Sequence, residues 1–544
     1  MAYFSLLYES EQKEQMTMEY SRQQLLIDER SDNLTGFELV GNRMVPISEK
    51  VGVERKRVPA FFYDLNLDQI ISRIILKDEE NELEQVFYRL LPDWNSIWFR
   101  QSIFRDLDVP SIYDSILSFY NRITNVEQLL NYVKQSNHPL QKSKYNLDAL
   151  AQYHLGIDSL IKETEGKVES VGLQSMLTYV KQYASSKKYG KRGELTSCYL
   201  ERIASIHYSM QISPGKIFLD FNEQEDNYTK TVLETFQSNC STSNESSCFR
   251  QVSLSDLEIR IADIIYKRDK HFFNECIDFT EENLSFVDDS ITQIHNELRF
   301  YLRCHDYFEA VTRKGYAVSY PCVSDENSFE IRSLYNIALA GGSEENARVV
   351  TNNFVLREPS TGAWITGANQ GGKTTFARSI GQIVYLALLG LPVPASSAKI
   401  PLFRGIFTHF SKEENAETNN GKLKEELLQI KEKLGSMLGG SNLFILNELF
   451  SSTTTLDAYD MSQSLIEKLE SMHCTVLCVT HIPKLAKDRT NMISLGTDIE
   501  DDEEHTRTYR IIEKEPEPTA HAYDIAKKYQ LTFEQIIGRM RNAM

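Results

Sequence analysis

The strongest chemical signal in the chain is a glycine-rich turn within WITGANQGGKTTFARSIGQIVYLA, residues 364–387. It fits G-x-x-x-x-G-K-[ST] through Gly367, Gly372, Lys373 and Thr374. Ala368, Asn369, Gln370 and Gly371 lie inside the turn, and Thr375 follows it. A strand-like run precedes it and a helical run follows, which is the context this pattern requires. Glycines let backbone N–H groups curl around phosphates, and the helix N-terminus adds the positive end of its dipole. Lys373 is placed to reach the β and γ phosphates of ATP, and the Thr374 hydroxyl to ligate Mg²⁺.

A second stretch, SNLFILNEL (441–449), runs four apolar residues into Asn447 and Glu448 and has the pattern of a buried strand end. In P-loop NTPases an Asp at the position of Asn447 supports Mg²⁺, and a following Glu polarises the attacking water. Asn447 can still hydrogen-bond around the metal's water shell but brings no charge. Glu448 remains able to act as base or water orienter. Thr374, Asn447 and Glu448 are thus the candidate metal-side residues. Downstream, TVLCVTHI (475–482) is a further apolar strand ending at His481, placed to contact the γ-phosphate.

Residues so far apart meet only if a sheet brings the strand ends together. From about residue 316, short β-type runs (YAVSYPCV, FEIRSLY, GAWITGA) alternate with helices down to about 515. That alternation marks a mostly parallel sheet with covering helices, here an α/β P-loop NTPase domain over 316–515. Residues 61–315 carry helical periodicity, as at Leu65, Ile70, Ile74 and Ile75, and form a mostly α-helical region. Residues 1–60 are a mixed, polar N-terminal extension, and 516–544 has the pattern of two short helices joined at Gln530 to Thr532. Two segments, 185–195 and 222–248, break the helical texture and are expected as exposed loops. The first holds Lys187, Lys188, Lys191 and Arg192 around Tyr189. A solvated turn is favoured there over contact with a phosphate backbone.

The composition is that of an ordinary globular protein: 544 residues, 41% hydrophobic and 25% charged. The first residues, MAYFSLLYESEQKEQ, lack the apolar run of a signal peptide, and no stretch is long and apolar enough to span a membrane. The eight cysteines show no metal-ligand spacing, which points to reduced thiols and a cytoplasmic setting. A net charge of −18 argues against generic coating of nucleic acid but leaves room for a local basic surface.

Taken in order, the motifs resemble those of the MutS family, whose ATPase domain is related to those of ABC transporters. TGANQGGKT (366–374) is similar to the family's TGPNMGGKS, and GLPVPA (390–395) followed by GIFTHF (405–410) to its G-x-x-V-P-A and I-F-T runs. ELFSSTTTLDA (448–458) resembles E-x-G-R-G-T-S-T-x-D-G, and VTHIPKLA (479–486) resembles A-T-H-x-x-E-L. VVTNNFVL (349–356) resembles the segment beside the adenine, implying roles for Val349 and Asn352. The resemblance covers roughly 316–544 and implies a homodimer with ATP between subunits. Trans contacts are implied from Asn419, Asn420 and Gly421, and from Thr453 and Asp457. The family's signature serine falls on Gly421, so amides of 419–421 must replace a hydroxyl. The tail, 516–544, corresponds to dimerising C-terminal helices, and 61–315 to a core and lever with a reduced or absent DNA clamp.

The wedge-bearing mismatch-reading domain has no counterpart in these motifs. The expected function is a MutS-like ATPase whose ATP-dependent dimer closure drives the levers to bind or release DNA. The alternative is a nucleotide-gated binding protein with very slow hydrolysis and a protein or ribosome partner.

Overall fold

The computed structural model describes residues 3–22, 25–27, 37–40, 43–46, 57–59, 61–75, 80–213, 216–221, 256–326, 328–342, 349–368, 370–410, 421–437, 439–487, 491–499, 507–516 and 531–542. Its contacts divide the chain into two compact units. One joins residues 1–3 and 7–104 to 300–544, and the other joins 4–6 to 105–299. Helical texture alone groups 61–104 with the helices that follow, but packing groups these residues with the α/β part. The cause is visible at two carbonyls: Arg378 Nε donates to Asp64 O at 2.8 Å, and Gln382 Nε2 donates to Leu65 O at 2.8 Å.

In the α/β unit a four-stranded sheet contains β1 (Cys322–Ser324), β2 (Phe329–Leu334), β3 (Asn352–Leu356) and β5 (Ser397–Pro401), in the order β1-β5-β2-β3. A six-stranded sheet contains β4 (Gly362–Thr366), β6 (Gly405–Phe410), β7 (Asn442–Asn447), β8 (Thr475–Val479), β9 (Met492–Ile499) and β10 (Arg507–Glu513). Its order is β6-β7-β8-β4-β9-β10, parallel throughout except for the antiparallel edge strand β10. Both β4 and β7 are buried along their whole length, as a parallel sheet covered on two faces demands, and this is why their sequences are continuous apolar runs. Gly362 admits no side chain: a Cβ there would lie 2.1 Å from Val476 O on the neighbouring strand.

The helix after the glycine turn, α1 (Lys373–Leu388), is buried nearly all round, with Gly381 against Leu65 and Ile445. IVYLALLGLPVPA thus contributes a buried helix end. Helix α2 (Lys422–Gly435) buries Ile430 and packs Leu423 and Leu434 against the core. Its apolar stripe is only partly core, since Leu427 and Leu428 are exposed. Helix α3 (Thr455–Ser471) starts from Thr454, whose side chain accepts from Asp457 N–H.

In the unit of residues 105–299, the long helices Pro110–Gln135 and Pro139–Thr164 pack side by side, each with Pro in its first turn. The segment 185–195 corrects the expectation of an exposed loop: Lys187–Ala204 is a helix capped by Ser186. Tyr189, Arg192 and Thr196 form its inward face, while Lys187, Lys188 and Lys191 are exposed. Arg192 is only 6% exposed and donates to Phe286 O at 3.2 Å and Tyr183 Oη at 3.0 Å. Its guanidinium also lies 5.7 Å from the Tyr153 ring centre and 5.6 Å from that of Phe286. The basic composition hid a helical face with one buried cation.

The polar loop expected over 222–248, which holds Cys240 and Cys248, lies outside the described residues, as does the first of the two tail helices. The second tail helix is Phe533–Asn542.

Candidate functional site

The register of three adjacent strands fixes the site. Asn447 on β7 pairs with Val479 on β8, which pairs with Ile365 on β4. The chain therefore leaves all three strands at one level, and Glu448, Thr480 and Thr366 are the next residues on each. Glu448 N–H donates to Val479 O at 2.9 Å and Thr480 N–H to Ile365 O at 3.1 Å, which prolongs the ladder by one step. In open α/β sheets ligands bind beyond the carboxyl ends of such strands.

The glycine turn sits at that edge. Gly367 has φ +119° and Gly372 +92°, left-handed backbone that glycine adopts without strain, while Gln370 at +60° is a non-glycine residue in the same region. A Cβ on Gly367 would also meet Thr497 Oγ1 at 2.2 Å. The same hydroxyl accepts from Ala368 N–H at 3.2 Å, so Thr497 on β9 buttresses the turn from below. Gly372 is the N-cap of α1, which aims the start of a long helix at the turn.

Lys373 is 5% exposed, and its Nζ donates to Gly367 O at 2.8 Å and Ala368 O at 2.9 Å, which holds the ammonium over the turn. Burial pushes this ammonium below its usual range, and the Glu448 charge pulls the other way. Thr374 Oγ1 donates to Asn447 Oδ1 at 2.9 Å. Glu448, itself at φ +56°, places Oε1 2.6 Å from His481 Nε2, a carboxylate accepting from an imidazole.

Some of these residues border a cleft of about 770 Å³, within the range of small-molecule sites, while Asn447 and His481 stand behind its lining through their bonds to Thr374 and Glu448. Gln370, Gly372, Lys373, Thr374, Thr375 and Glu448 line one part of it. Val349 and Asn352 line it too, but their polar groups serve the fold. Asn352 Oδ1 accepts from Ile511 N–H at 2.7 Å, which ties β3 to β10, and Val349 N–H donates to Tyr316 Oη at 2.9 Å. Gln69, Arg73, Tyr509 and Asn336 also line the cleft and were not singled out in the sequence. Nothing local marks them, because packing of distant segments delivers them.

The residues expected to reach across a dimer are less gathered. Thr453 and Asp457 lie in the first turn of α3 and its approach. The Asp457 carboxylate accepts from Thr454 Oγ1 at 2.8 Å and from Thr453 Oγ1 at 3.4 Å. Gly421 is the N-cap of α2, with open space around its Cβ direction among the described residues. Asn369, Asn419 and Asn420 lie outside the described residues. Among the described residues no group of three or more His, Cys, Asp or Glu side chains could hold a metal ion. No helix among them is long and apolar enough to cross a membrane.

The fold and site define a mixed protein, a helical unit and an α/β unit with a glycine-rich turn at its parallel sheet edge. Residues 363–544 match the family model of MutS domain V. It is 24% identical over 385 residues to the DNA mismatch repair protein MutS of Staphylococcus aureus strains JH9, Newman and N315. The alignment covers 67% of this chain and 42% of each relative, so the match spans less than half the length of those proteins.

Proposed function

We propose that the chain is a slow ATPase of the P-loop type whose nucleotide state controls the grip of a dimer on DNA. The observation that carries this reading is the convergence of Lys373, Thr374, Asn447, Glu448 and His481 at one sheet edge. The turn amides and Lys373 would bind the β and γ phosphates, and the helix dipole of α1 would favour their charge. Thr374 and Asn447 offer a hydroxyl and an amide oxygen 2.9 Å apart, and Glu448 lines the same cleft. These all-oxygen donors fit Mg²⁺, which takes few protein ligands alongside phosphate oxygens and waters. When bound there, Mg²⁺ would neutralise charge on the β and γ phosphates.

Glu448 would orient a water and take its proton as the water oxygen bonds to the γ-phosphorus and the bond to the β-phosphate oxygen breaks, releasing ADP and phosphate. His481 holds the Glu448 carboxylate at 2.6 Å and would contact the γ-phosphate. The absence of charge on Asn447 favours slow turnover. The same feature favours the second reading, a nucleotide-gated binding protein that hydrolyses ATP hardly at all. The relatives are named DNA mismatch repair proteins, which suggests DNA as the partner here; a homodimer as the working form and a cytoplasmic setting belong to the same proposal. A core and lever would relay closure from the ATPase domain, with the C-terminal helices aiding dimerisation.

The test is binding of labelled ATP to wild-type protein and Lys373→Ala, with sedimentation and DNA binding followed with and without ATP. The reading expects ATP affinity lost in the variant and ATP-dependent change in both dimer and DNA binding. Equal ATP affinity in the two proteins would refute it.

A further inference from the structure

The loop that carries Glu448 is held from the side by a carboxylate with no part in the chemistry above. Glu448 at φ +56° and Phe450 at φ +54° are two left-handed, non-glycine residues within three positions. Such backbone persists only where surrounding contacts over-determine it. Three fixings can be named. Glu448 N–H is tied to Val479 O, the Leu449 and Phe450 side chains are buried in the core, and Phe450 N–H donates to Glu426 Oε1 at 2.8 Å.

Glu426 belongs to α2, and its Oε1 also lies 2.9 Å from Nε2 of His409 at the end of β6. Both side chains are largely buried, 4% exposed for His409 and 11% for Glu426. Burial pushes the Glu426 carboxyl up. Donation from His409 and from Phe450 N–H, with the charges of His409 and Lys422, outweighs it and holds the group below the usual carboxylate range. The acceptor is thus an ionised carboxylate, the stronger partner for an amide. One oxygen joins β6, α2 and the strained loop.

We propose that Glu426, oriented by His409, is a positioning residue for Glu448: by clamping the Phe450 amide it fixes the strained loop that presents Glu448, and it makes that placement depend on the seat of α2. This rests on the hydrolytic reading above. Helix α2 starts at Gly421, beside the residues expected to meet a second subunit, so the clamp offers a route by which closure reaches the catalytic carboxylate.

Glu426→Ala and Glu426→Gln in the full chain test it, with amide hydrogen exchange over residues 447–456, ATP affinity and turnover measured on each. In Glu426→Ala, exchange at Phe450 should rise and kcat should fall, each roughly ten-fold, with ATP affinity unchanged. Glu426→Gln keeps an acceptor oxygen and should recover turnover to within about three-fold of wild type. Wild-type exchange at Phe450 in Glu426→Ala overturns the clamp. Raised exchange with wild-type turnover overturns the link to Glu448. A wild-type protein that binds ATP without turnover refutes the hydrolytic reading instead, and exchange at Phe450 still decides the clamp.

Discussion

Thr374 Oγ1 donates to Asn447 Oδ1 across 2.9 Å, which joins the first turn of α1 to the end of β7. Both belong to the candidate metal side of the site, Thr374 on the cleft wall and Asn447 bonded behind it, and neither carries charge. An Asp at 447 would keep the acceptor oxygen and add a full negative charge where a divalent cation is proposed. Asn447→Asp should raise kcat for ATP roughly ten-fold, equivalent to about 1.4 kcal/mol of barrier, and lower the Mg²⁺ concentration for half-maximal turnover. A Mg²⁺ titration of steady-state turnover checks both. An unchanged or lower rate would show that the amide is not what limits the reaction.

Gly367 is held at φ +119°, with Thr497 Oγ1 2.2 Å from where a Cβ would stand. Gly367→Ala should distort the turn and weaken ATP binding at least ten-fold, because the amides proposed to cradle phosphate move with it. Isothermal titration with ATP, beside circular dichroism to confirm folding, measures this. Near-native affinity would mean that the turn does not carry the binding.

In the helical unit, His154 packs against Tyr189 and Arg192, and burial together with the Arg192 charge pulls its imidazole down to about 4. The folded state thus resists the proton that the unfolded chain takes up near its ordinary value of about 6.5. The unfolded state binds more protons between those values, so stability is full above pH 6.5 and falls as pH drops toward 4. Denaturant unfolding of wild type and His154→Phe across that range should show the wild type losing more stability on acidification. Parallel curves would contradict the buried neutral imidazole.

Arg192 itself should matter more than a surface cation. Its removal takes the guanidinium donor from the Phe286 carbonyl and one of two donors from the Tyr183 hydroxyl, which keeps Tyr153 Oη at 3.1 Å, in a packed aromatic surround. Arg192→Ala should cost about 2–4 kcal/mol. Lys188→Ala, on the exposed face of the same helix, should cost within about 0.5 kcal/mol. Chemical denaturation of both variants distinguishes a buried latch from a solvated turn.

The part of the site that rests on strand ends was legible in the sequence. Continuous apolar runs before Gly367, Asn447 and His481 announce buried parallel strands, and chemistry-bearing residues after such runs share the sheet edge. What was not legible has a common cause. Thr497, Arg73 and Glu426 reach the site by packing between segments distant in the chain, and no local spacing signals them. Arg192 was misplaced because lysine and glycine suggested a turn, whereas the i, i+3, i+7 face of Tyr189, Arg192 and Thr196 decides the helix. The grouping of residues 61–104 with the α/β part depends on hydrogen bonds from Arg378 and Gln382, again invisible to periodicity.

The most direct test of the hydrolytic reading is single-turnover ATP hydrolysis by wild type and Glu448→Gln, with ATP binding measured on the same samples. The variant should bind ATP as wild type does and hydrolyse it about 10²–10⁴-fold more slowly, the usual weight of a general base. Equal rates in the two proteins would contradict the assignment of Glu448 as the group that handles water.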